Sequence, residues 1–409
     1  MAQLKVDVDP AEAGFDASRL SRLDAHFDRY VEDGRLPGWL AVVSRHGRIV
    51  HIGRGGHSDV EAGTPVETDT LWRIFSMTKP VTSVAAMILA EEGLLELDDP
   101  ISQWLPEFAS PKVFVKGSSL RPLTEPATEP IRVWHLLTHT AGLTYGFHHG
   151  HPVDAMYRAA GFEWGTPPGL DLAACSEQWA SLPLLFQPGT EWNYSIASDV
   201  LGRVVEVVSG LPLDEFFSSR IFAPLGMTDT GFVASSSSRL AALYVPDPAT
   251  GRASRNEAFG TVGKSRPDCL SGGGGLVSSA ADYWRFTEML LRGGVLDDVR
   301  LLSPRTVSLM ASNHLPGHVD LEAFGRPLFA EMPFDGHGFG LGFSVLEDPV
   351  KARTLASAGE FAWGGAASTA FWVDPDEDLT VGFYTQLLPS STYRLRPQLR
   401  QLVYQALVD

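Results

Sequence analysis

The chain has 409 residues, a formal net charge of −17 and 44% hydrophobic residues, and this length predicts two lobes rather than one core. The negative charge argues against a nucleic-acid partner, because phosphates would be repelled rather than neutralised. No apolar run approaches the roughly 20 residues of a membrane-spanning helix, and the first residues lack the pattern of a signal peptide, so we expect a cytoplasmic protein without a membrane partner.

The first hundred residues predict a helix, a hairpin and a second helix. Apolar residues at helical spacing over 16–32 follow a possible cap at Asp16 or Ser18. Residues 40–44 and 49–52 are predicted strands, and His46-Gly47 is the turn between them. The second helix carries the apolar run 81–90 and is expected to end near Gly93.

A Ser-x-x-Lys stands where this second helix begins. Residues three apart on a helix lie on one face, so the Ser76 hydroxyl and the Lys79 amine would sit side by side. A serine hydroxyl becomes nucleophilic when a neighbouring base takes its proton, and an amine of lowered pKa can be that base. The alternative is an exposed first-turn pair on a core helix, although Lys79 alone among six lysines has a serine three positions earlier.

The middle of the chain, from about 98 to 269, alternates proline- and glycine-rich loops with short helices. Helices are predicted over 131–138 and 195–208, the second with Gly210 as its stop. Two long irregular segments, 145–183 and 235–267, are expected to form lids or binding walls.

The last part of the chain changes to strand patterns. After the glycine run 272–275 we predict a helix over 280–291, strands over 339–345, 369–373 and 379–384, and a last helix over 394–408. Strands at both ends with a helical middle predict an α+β protein. Its sheet domain would be built from residues 1–97 and 270–409, with a mostly helical domain, 98–269, inserted between them.

Two further segments could complete a site with Ser76. Tyr194 opens a predicted helix after a Pro-Gly loop, and a phenol there can shuttle a proton. Trp363-Gly364-Gly365 enters a predicted strand, where glycines let backbone amides approach an oxyanion. Taken singly, each segment is also explained by structure alone, as a buried tyrosine and as a bulge or turn.

Together, Ser76-Met77-Thr78-Lys79, Tyr194-Ser195-Ile196 and Trp363-Gly364-Gly365 resemble, in order, the serine β-lactamase and penicillin-binding-protein superfamily. The resemblance implies an antiparallel sheet flanked by helices, with the active site between the two domains. Class C β-lactamases have asparagine where this chain has Ile196, and lysine where it has Trp363; that lysine helps to hold the substrate carboxylate. The pattern is closer to family VIII carboxylesterases and to the acyltransferase that esterifies statin precursors.

The resemblance implies a serine carboxylesterase that hydrolyses short-chain or small aromatic esters through an acyl-enzyme on Ser76. Lys79 and Tyr194 would handle the proton, without a decision on which is the formal base. The backbone amides of Ser76 and Ala366 would form the oxyanion hole. The expected substrate-binding residues are Trp363, Gly364 and Gly365.

Other functions stay open at this point. The same acyl-enzyme would serve an acyltransferase, an amidase or D-aminopeptidase, or a weak β-lactamase, and a catalytically silent binding relative is a further alternative. The partner expected is a small-molecule ester, and the oligomeric state is left open.

We expect no metal and no cofactor. Cys175 and Cys269, the two cysteines, could pair, but two thiols in a chain of this length without an export signal are predicted to be free and reduced. Neither lies in a Cys-x-x-Cys, so a zinc or redox role has no support. His148, His149 and His151 lie in a loop without a nearby acidic ligand, which favours roles in a pocket wall or at the surface over a metal site.

Overall fold

The computed structural model describes residues 4–256, 261–326 and 333–408. Its strands are, in chain order, β1 (Gly38–Arg45), β2 (Arg48–Asp59), β3 (Thr64–Pro65), β4 (Leu71–Arg73), β5 (Lys112–Ser118), β6 (Arg121–Pro126), β7 (Tyr244–Pro246), β8 (Ala253–Arg255), β9 (Val277–Ser279), β10 (Val295–Leu296), β11 (Val299–Arg300), β12 (His337–Phe339), β13 (Ser344–Leu346), β14 (Phe361–Gly364), β15 (Ala370–Asp374) and β16 (Leu379–Tyr384).

The α-helices of the same residues flank these strands and fill the middle of the chain. They are α1 (Ala17–Leu20), α2 (Arg22–Glu32), α3 (Thr78–Glu91), α4 (Val133–Leu137), α5 (Pro152–Ala159), α6 (Leu172–Ser181), α7 (Ala197–Ser209), α8 (Leu213–Phe217), α9 (Ala223–Leu225), α10 (Ala280–Leu291), α11 (Pro304–Met310), α12 (Leu321–Phe324), α13 (Pro349–Ala352) and α14 (Leu395–Tyr404).

The main sheet draws its strands from both ends of the chain. Its eight strands follow the order β12-β13-β14-β15-β16-β1-β2-β3, and neighbours pair antiparallel. The junction lies where β1 pairs with β16, from Leu40 opposite Tyr384 to Arg45 opposite Leu379. The predicted antiparallel sheet built from the two termini is therefore confirmed.

Both faces of this sheet are covered, as the side chains of β1 demonstrate. Leu40 and Val42 belong to the core that also contains α3, α7 and α10. Ala41 and Val43 point the other way, into the core formed with α2 and α14. A strand buried on both faces is hydrophobic throughout rather than alternating, which is why this segment was recognisable from its sequence.

The β1–β2 hairpin turns where it was predicted. His46 and Gly47 have φ angles of 55° and 67°, so both central residues adopt the left-handed region. Two-residue hairpins favour such turns because their twist matches that of the strands. The strands themselves are longer than predicted, since β2 continues to Asp59.

The predicted helix over 16–32 is interrupted. Asp16 caps α1 by accepting from the amides of Ser18 and Arg19, but the regular helix breaks at Ser21 before α2 begins. The helices predicted over 131–138, 195–208 and 394–408 are present with shifted ends. Gly210 ends α7 with a φ of 71°, as its sequence position predicted.

The predicted single strand over 339–345 is wrong. The structure has two strands there, β12 and β13, which pair with Phe339 opposite Ser344. Gly342, at a φ of 107°, lies in the turn between them, and a side chain on it would collide with Ser83. The run of buried apolar residues was read as one strand because Phe339, Leu341 and Phe343 are all fully buried.

The segment 145–183 is less irregular than predicted, because it contains α5 and α6. Asp171 caps α6 by accepting from the Ala174 amide, and His151 caps α5 by accepting from the Val153 amide. The β5–β6 hairpin was not predicted either; most of its side chains are exposed, so it lacks the alternation that identifies a strand. None of the helices in the described ranges has the length and apolarity that crossing a bilayer requires.

Candidate active site

Ser76 lies in a short 3₁₀ turn, Phe75–Met77, that runs directly into α3. The strand before this turn, β4, is held by pairing with β9. Phe75 has a φ of 43°, a left-handed conformation that a bulky residue rarely adopts. Such strained residues persist only where the surroundings fix them, and they concentrate at functional sites. The turn presents Ser76 to a cavity that its side chain helps to line.

Lys79 is buried one turn further on, with 1% of its surface exposed. Its Nζ lies 3.2 Å from the Ser76 Oγ, 3.0 Å from the Tyr145 Oη and 2.7 Å from the carbonyl oxygen of Gly273. A buried lysine without partners would be costly, and here three acceptors match the three protons of an ammonium. The sequence prediction that Ser76 and Lys79 adjoin each other at a helix start agrees with this geometry.

The three partners of Lys79 also determine which hydrogen bonds a neutral amine could make at this position. A neutral amine keeps two protons and has one lone pair, which needs a donor. The Gly273 carbonyl can only accept, so the donor must be the hydroxyl of Ser76 or of Tyr145. The arrangement can therefore take a proton from Ser76 without rearranging any other group.

Tyr145 is the site residue that the sequence reasoning missed. Burial, followed by the negative charge of Asp199 and the neighbouring Tyr194, raises the pKa of the Tyr145 phenol well above its ordinary value. It is therefore a neutral phenol at physiological pH. Its only sequence signal is its position two residues after Gly142-Leu143, which ends a segment typical of the superfamily.

Tyr194 meets Lys79 through its ring rather than through its hydroxyl. The Lys79 Nζ lies 4.5 Å from the centre of the Tyr194 ring, a cation–π distance. Among the described residues nothing hydrogen-bonds the Tyr194 hydroxyl, and the side chain lines the cavity. The Tyr194 carbonyl accepts from His148 Nε2 and from Asn193 Nδ2, which fixes the backbone at this point.

A buried carboxylate supports the lysine from behind. Asp199 accepts from the Gly273 amide at 3.0 Å and from the Ser271 hydroxyl, and so holds the loop whose carbonyl binds Lys79. Burial raises the pKa of the Asp199 carboxyl, and the positive charge of Lys79 opposes that rise. A side chain at Gly273 would collide with this carboxylate, and one at Gly272 with the Ser198 carbonyl. The glycine run therefore packs closely against the start of α7.

The segment from Trp363 to Ala366 forms the opposite wall. β13 pairs with β14 only as far as Ala362, so the outer edge of the strand beyond it faces the cavity. A side chain at Gly365 would collide with the Ile74 carbonyl, two residues before Ser76. The Ala366 amide has no acceptor among the described residues. The segment thus closes one strand, β14, and turns into the next, β15, rather than simply entering a strand.

The cavity between these walls has a volume of about 690 Å³. Aromatic and apolar side chains make up much of its lining from the middle of the chain. The rings of Tyr145 and Phe147 are stacked with centres 4.6 Å apart, and those of Phe147 and Trp164 with centres 4.9 Å apart. Trp363 lies beyond Tyr194, with the two ring centres 5.5 Å apart. Both segments expected to form binding walls, 145–183 and 235–267, contribute lining residues.

The histidines of the 148–151 loop make ordinary structural contacts. His148 binds the Tyr194 carbonyl, and His149 lies 3.6 Å from a Glu163 carboxylate oxygen. Within the described ranges, no group of three or more histidine, cysteine or acidic side chains could hold a metal ion. Cys175 and Cys269 are both buried and unbridged.

Comparison with known proteins identifies the family of the chain. The family model described as Beta-lactamase matches residues 23–405. Protein Rv1367c of Mycobacterium tuberculosis is 40% identical over 364 residues, covering 87% of each chain. Esterase EstB of Burkholderia gladioli is 35% identical over 97% of this chain and 98% of its own. The solved structure of EstCE1, a hydrolase with promiscuous acyltransferase activity, is 31% identical with a TM-score of 0.79, covering 95% of this chain and 98% of its own.

The chain therefore belongs to the Beta-lactamase family, and the resemblance drawn from its three motifs is confirmed. The fold is β-lactamase-like, as predicted. The match to EstB and EstCE1 runs over nearly the whole of both chains, so it includes the segments that carry Ser76, Lys79 and the two cavity tyrosines.

Proposed function

We propose that this protein cleaves carboxylic esters through an acyl-enzyme formed on Ser76. The observation that carries the proposal is the Lys79 Nζ at 3.2 Å from the Ser76 Oγ, with the amine buried and the hydroxyl at the cavity. Its contacts with the Ser76 hydroxyl, the Tyr145 hydroxyl and the Gly273 carbonyl hold the amine beside the nucleophile, where it can act as a base. The substrate partner is a small-molecule ester.

The class of enzyme follows from the relatives. The chain is a serine hydrolase of the carboxylesterase type, given its similarity to EstB and EstCE1. We assign it further to the family VIII carboxylesterases, on the Ser-x-x-Lys, Tyr-Ser and Trp-Gly-Gly elements. Trp363 in place of a lysine removes a cationic group that would hold a substrate carboxylate, which disfavours β-lactams as substrates.

The proposed reaction begins with attack of Ser76 on the ester carbonyl while its proton passes to Lys79. The amides of Ser76 and Ala366 stabilise the oxyanion, each worth ~3 kcal/mol of barrier. Tyr194, whose hydroxyl meets the cavity without a hydrogen-bond partner in the described part of the chain, protonates the leaving alkoxide. Water then hydrolyses the acyl-enzyme by the reverse sequence of proton transfers.

The cavity supports esters that carry a short chain or a small aromatic ring. Tyr145, Phe147 and Trp164 form a column of stacked rings that begins at the Lys79 partner. Ring edges carry partial positive charge and attract the face of another ring. Aromatic esters should therefore bind better than saturated esters of the same size.

A pair of serine variants tests the nucleophile. Ser76→Ala should reduce turnover of p-nitrophenyl acetate by a factor of about 10⁴ or more, because the reaction loses its covalent route. Ser83→Ala is the matched control, since Ser83 lies on α3, the helix that follows the Ser76 turn, and its buried hydroxyl has no hydrogen-bond partner among the described residues. Near-normal turnover by folded Ser76→Ala would refute the proposal.

Acyl transfer is the second candidate function. The apolar cavity can admit an alcohol beside the acyl group, and EstCE1, a similar structure, is a hydrolase with promiscuous acyltransferase activity. Adding benzyl alcohol to a vinyl acetate assay should then produce benzyl acetate alongside acetate. Acetate alone would restrict the activity to hydrolysis.

A reducing compartment is the setting we propose for this activity. The two unbridged, buried thiols support the cytoplasm over an oxidising compartment.

A further inference from the structure

We propose that Arg396 is a positioning residue that strengthens the oxyanion hole by polarising the peptide bond between Gly365 and Ala366. The inference rests on the proposed function, because it takes the Ala366 amide as an oxyanion donor. It adds a residue that belongs to none of the three motifs and lies some thirty positions after the last of them.

The geometry begins with the Arg396 guanidinium at the start of α14. Its Nη2 donates to the carbonyl oxygen of Gly365 at 2.9 Å and to that of Thr369 at 3.0 Å. These two carbonyls stand at the two ends of the turn that contains Ala366. The turn is closed by the Gly365 amide donating to the Thr369 carbonyl at 2.9 Å, and by the Ser368 amide donating to the Gly365 carbonyl at 3.1 Å.

The Gly365 carbonyl and the Ala366 amide belong to one peptide group. A cationic donor on the carbonyl oxygen draws electron density from that group and makes its N–H a stronger donor. The Ala366 N–H has no acceptor among the described residues, and Ala366 lines the cavity. The positive charge of Arg396 is thus transmitted to the position where negative charge develops.

Arg396 acts through the peptide and not by touching the substrate carbonyl. Side chains alternate across a strand, and the two glycines demonstrate the two directions. A side chain at Gly364 would collide with the Arg396 guanidinium, whereas one at Gly365 would collide with the Ile74 carbonyl beside Ser76. The cation and the nucleophile therefore approach this segment from opposite sides, although both residues line the cavity.

The test compares two variants. Arg396→Met keeps an aliphatic side chain of similar length but loses the charge, whereas Arg396→Lys keeps the charge but loses the planar guanidinium and its several N–H donors. The control is Arg394→Met, an exposed arginine at the start of the same helix. Each protein is assayed with p-nitrophenyl acetate and with phenylboronic acid, whose tetrahedral serine adduct places an oxygen in the oxyanion hole. The concentration of competent sites is counted by titration with a fluorophosphonate.

We expect Arg396→Met to lower kcat per competent site about tenfold, with KM changed less than about twofold, because the lost interaction acts in the transition state. Its inhibition constant for phenylboronic acid should rise by about the same factor. Arg396→Lys should lose about threefold in each quantity, and Arg394→Met should match the wild type.

The inference is overturned if kcat per competent site and boronic acid affinity are unchanged in Arg396→Met. It is also overturned if boronic acid affinity is unchanged while only the count of competent sites falls, which indicates a purely structural role. If Arg396→Met does not fold, the same two readouts in Arg396→Lys decide. Wild-type protein without Ser76-dependent turnover would refute the proposed function itself, a result distinguishable from either of these.

Discussion

The chemistry of the site turns on how one amine is shared. Lys79 bonds a serine hydroxyl, a tyrosine hydroxyl and a carbonyl, and its charge faces the ring of a second tyrosine. We therefore propose different tasks for the two tyrosines. Tyr145 holds the amine, whereas Tyr194 presents a hydroxyl to the cavity, where a leaving group would be.

These different tasks predict that the rate loss depends on the leaving group of the ester for a Tyr194 variant but not for a Tyr145 variant. Tyr194→Phe should lower kcat/KM for ethyl acetate by about 10² or more, because ethoxide needs a proton to leave. The loss on p-nitrophenyl acetate should be much smaller, since nitrophenolate leaves without one. Tyr145→Phe should lower both rates by about the same tenfold factor, because it removes one of the three hydrogen bonds that hold the Lys79 amine. Steady-state assays with both esters measure this.

The proposed role of Tyr194 is contradicted if kcat/KM of Tyr194→Phe falls by the same factor with both esters. In that case the hydroxyl would act before the leaving group departs, and Tyr145 would become the candidate acid.

For individual residues, the sequence predicted contacts between near neighbours in the chain and missed a contact between distant positions. Ser76 and Lys79 are three residues apart across a 3₁₀ turn that runs into α3, so their proximity follows from local helical geometry. Tyr145 reaches Lys79 across 66 positions of sequence. No spacing rule connects them, and nine tyrosines were available. The roles of Tyr194, Ala366 and Trp363 stay predictions that the variants above can test.

Helix α10 carries a buried acid that makes the stability of the element sensitive to pH. Asp282, in its first turn, accepts from the Asp229 amide at 2.6 Å and from the Thr230 hydroxyl at 2.9 Å. Burial raises the pKa of the Asp282 carboxyl to about 6. A folded pKa above the unfolded value means that the stabilising contribution is present at low pH and lost as pH rises through about 6.

Replacing this acid by its neutral amide should remove the pH dependence. A rise of about two pKa units above the unfolded value corresponds to about 3 kcal/mol, lost between pH 4 and 7. Relative to wild type, the melting temperature of Asp282→Asn should therefore rise by about 3 °C between pH 4.5 and pH 8. A difference between the two proteins that stays constant over this range would contradict the assignment.

The elements most easily predicted were those with a long buried apolar run. Helix α10 was recognised with its correct ends, and strand β1 was recognised although its predicted span was shorter than the strand. The β12–β13 hairpin was merged into one strand because its turn is also apolar and buried, and only Gly340 and Gly342 marked it. Helices α5 and α6 were missed because prolines and glycines around them suggested an irregular segment.

Helix α14 is joined to the main sheet by a buried polar network. Arg400 on α14 binds Glu360 through Nε at 3.0 Å and Nη2 at 2.6 Å, and Tyr404 donates to Glu360 and to Asp374. Only 1% of the Glu360 side chain is exposed, and burial raises its pKa against the opposing charge of Arg400. This network connects helix α14 to strands β14 and β15, which lie on either side of the cavity segment that begins at Trp363.

Breaking the network from one side should cost more than removing both charges. Arg400→Met leaves Glu360 buried without its cation, a loss of about 3–5 kcal/mol, so the melting temperature should fall by about 5 °C. Adding Glu360→Gln to this variant should recover most of the loss, because a neutral amide needs no counter-charge. Differential scanning calorimetry measures both; a double variant less stable than the single one would contradict this account.

Global architecture was within reach of the sequence, but the shape of the cavity was not. Strand patterns at both termini implied one shared sheet, and the motif order implied the family. The boundaries 1–97, 98–269 and 270–409 stay a prediction for the two domains. The cavity depends on side chains from segments more than two hundred positions apart, such as Phe147 and Trp363.

The central claim is that Ser76 forms the covalent intermediate, and active-site labelling tests it most directly. Wild-type protein is treated with a fluorophosphonate ester, and its mass and peptides are measured by mass spectrometry. We predict one adduct per chain on Ser76, with loss of esterase activity in proportion to labelling, and no adduct in Ser76→Ala. Full activity without an adduct on Ser76, or an inactivating adduct on another residue, would contradict the account.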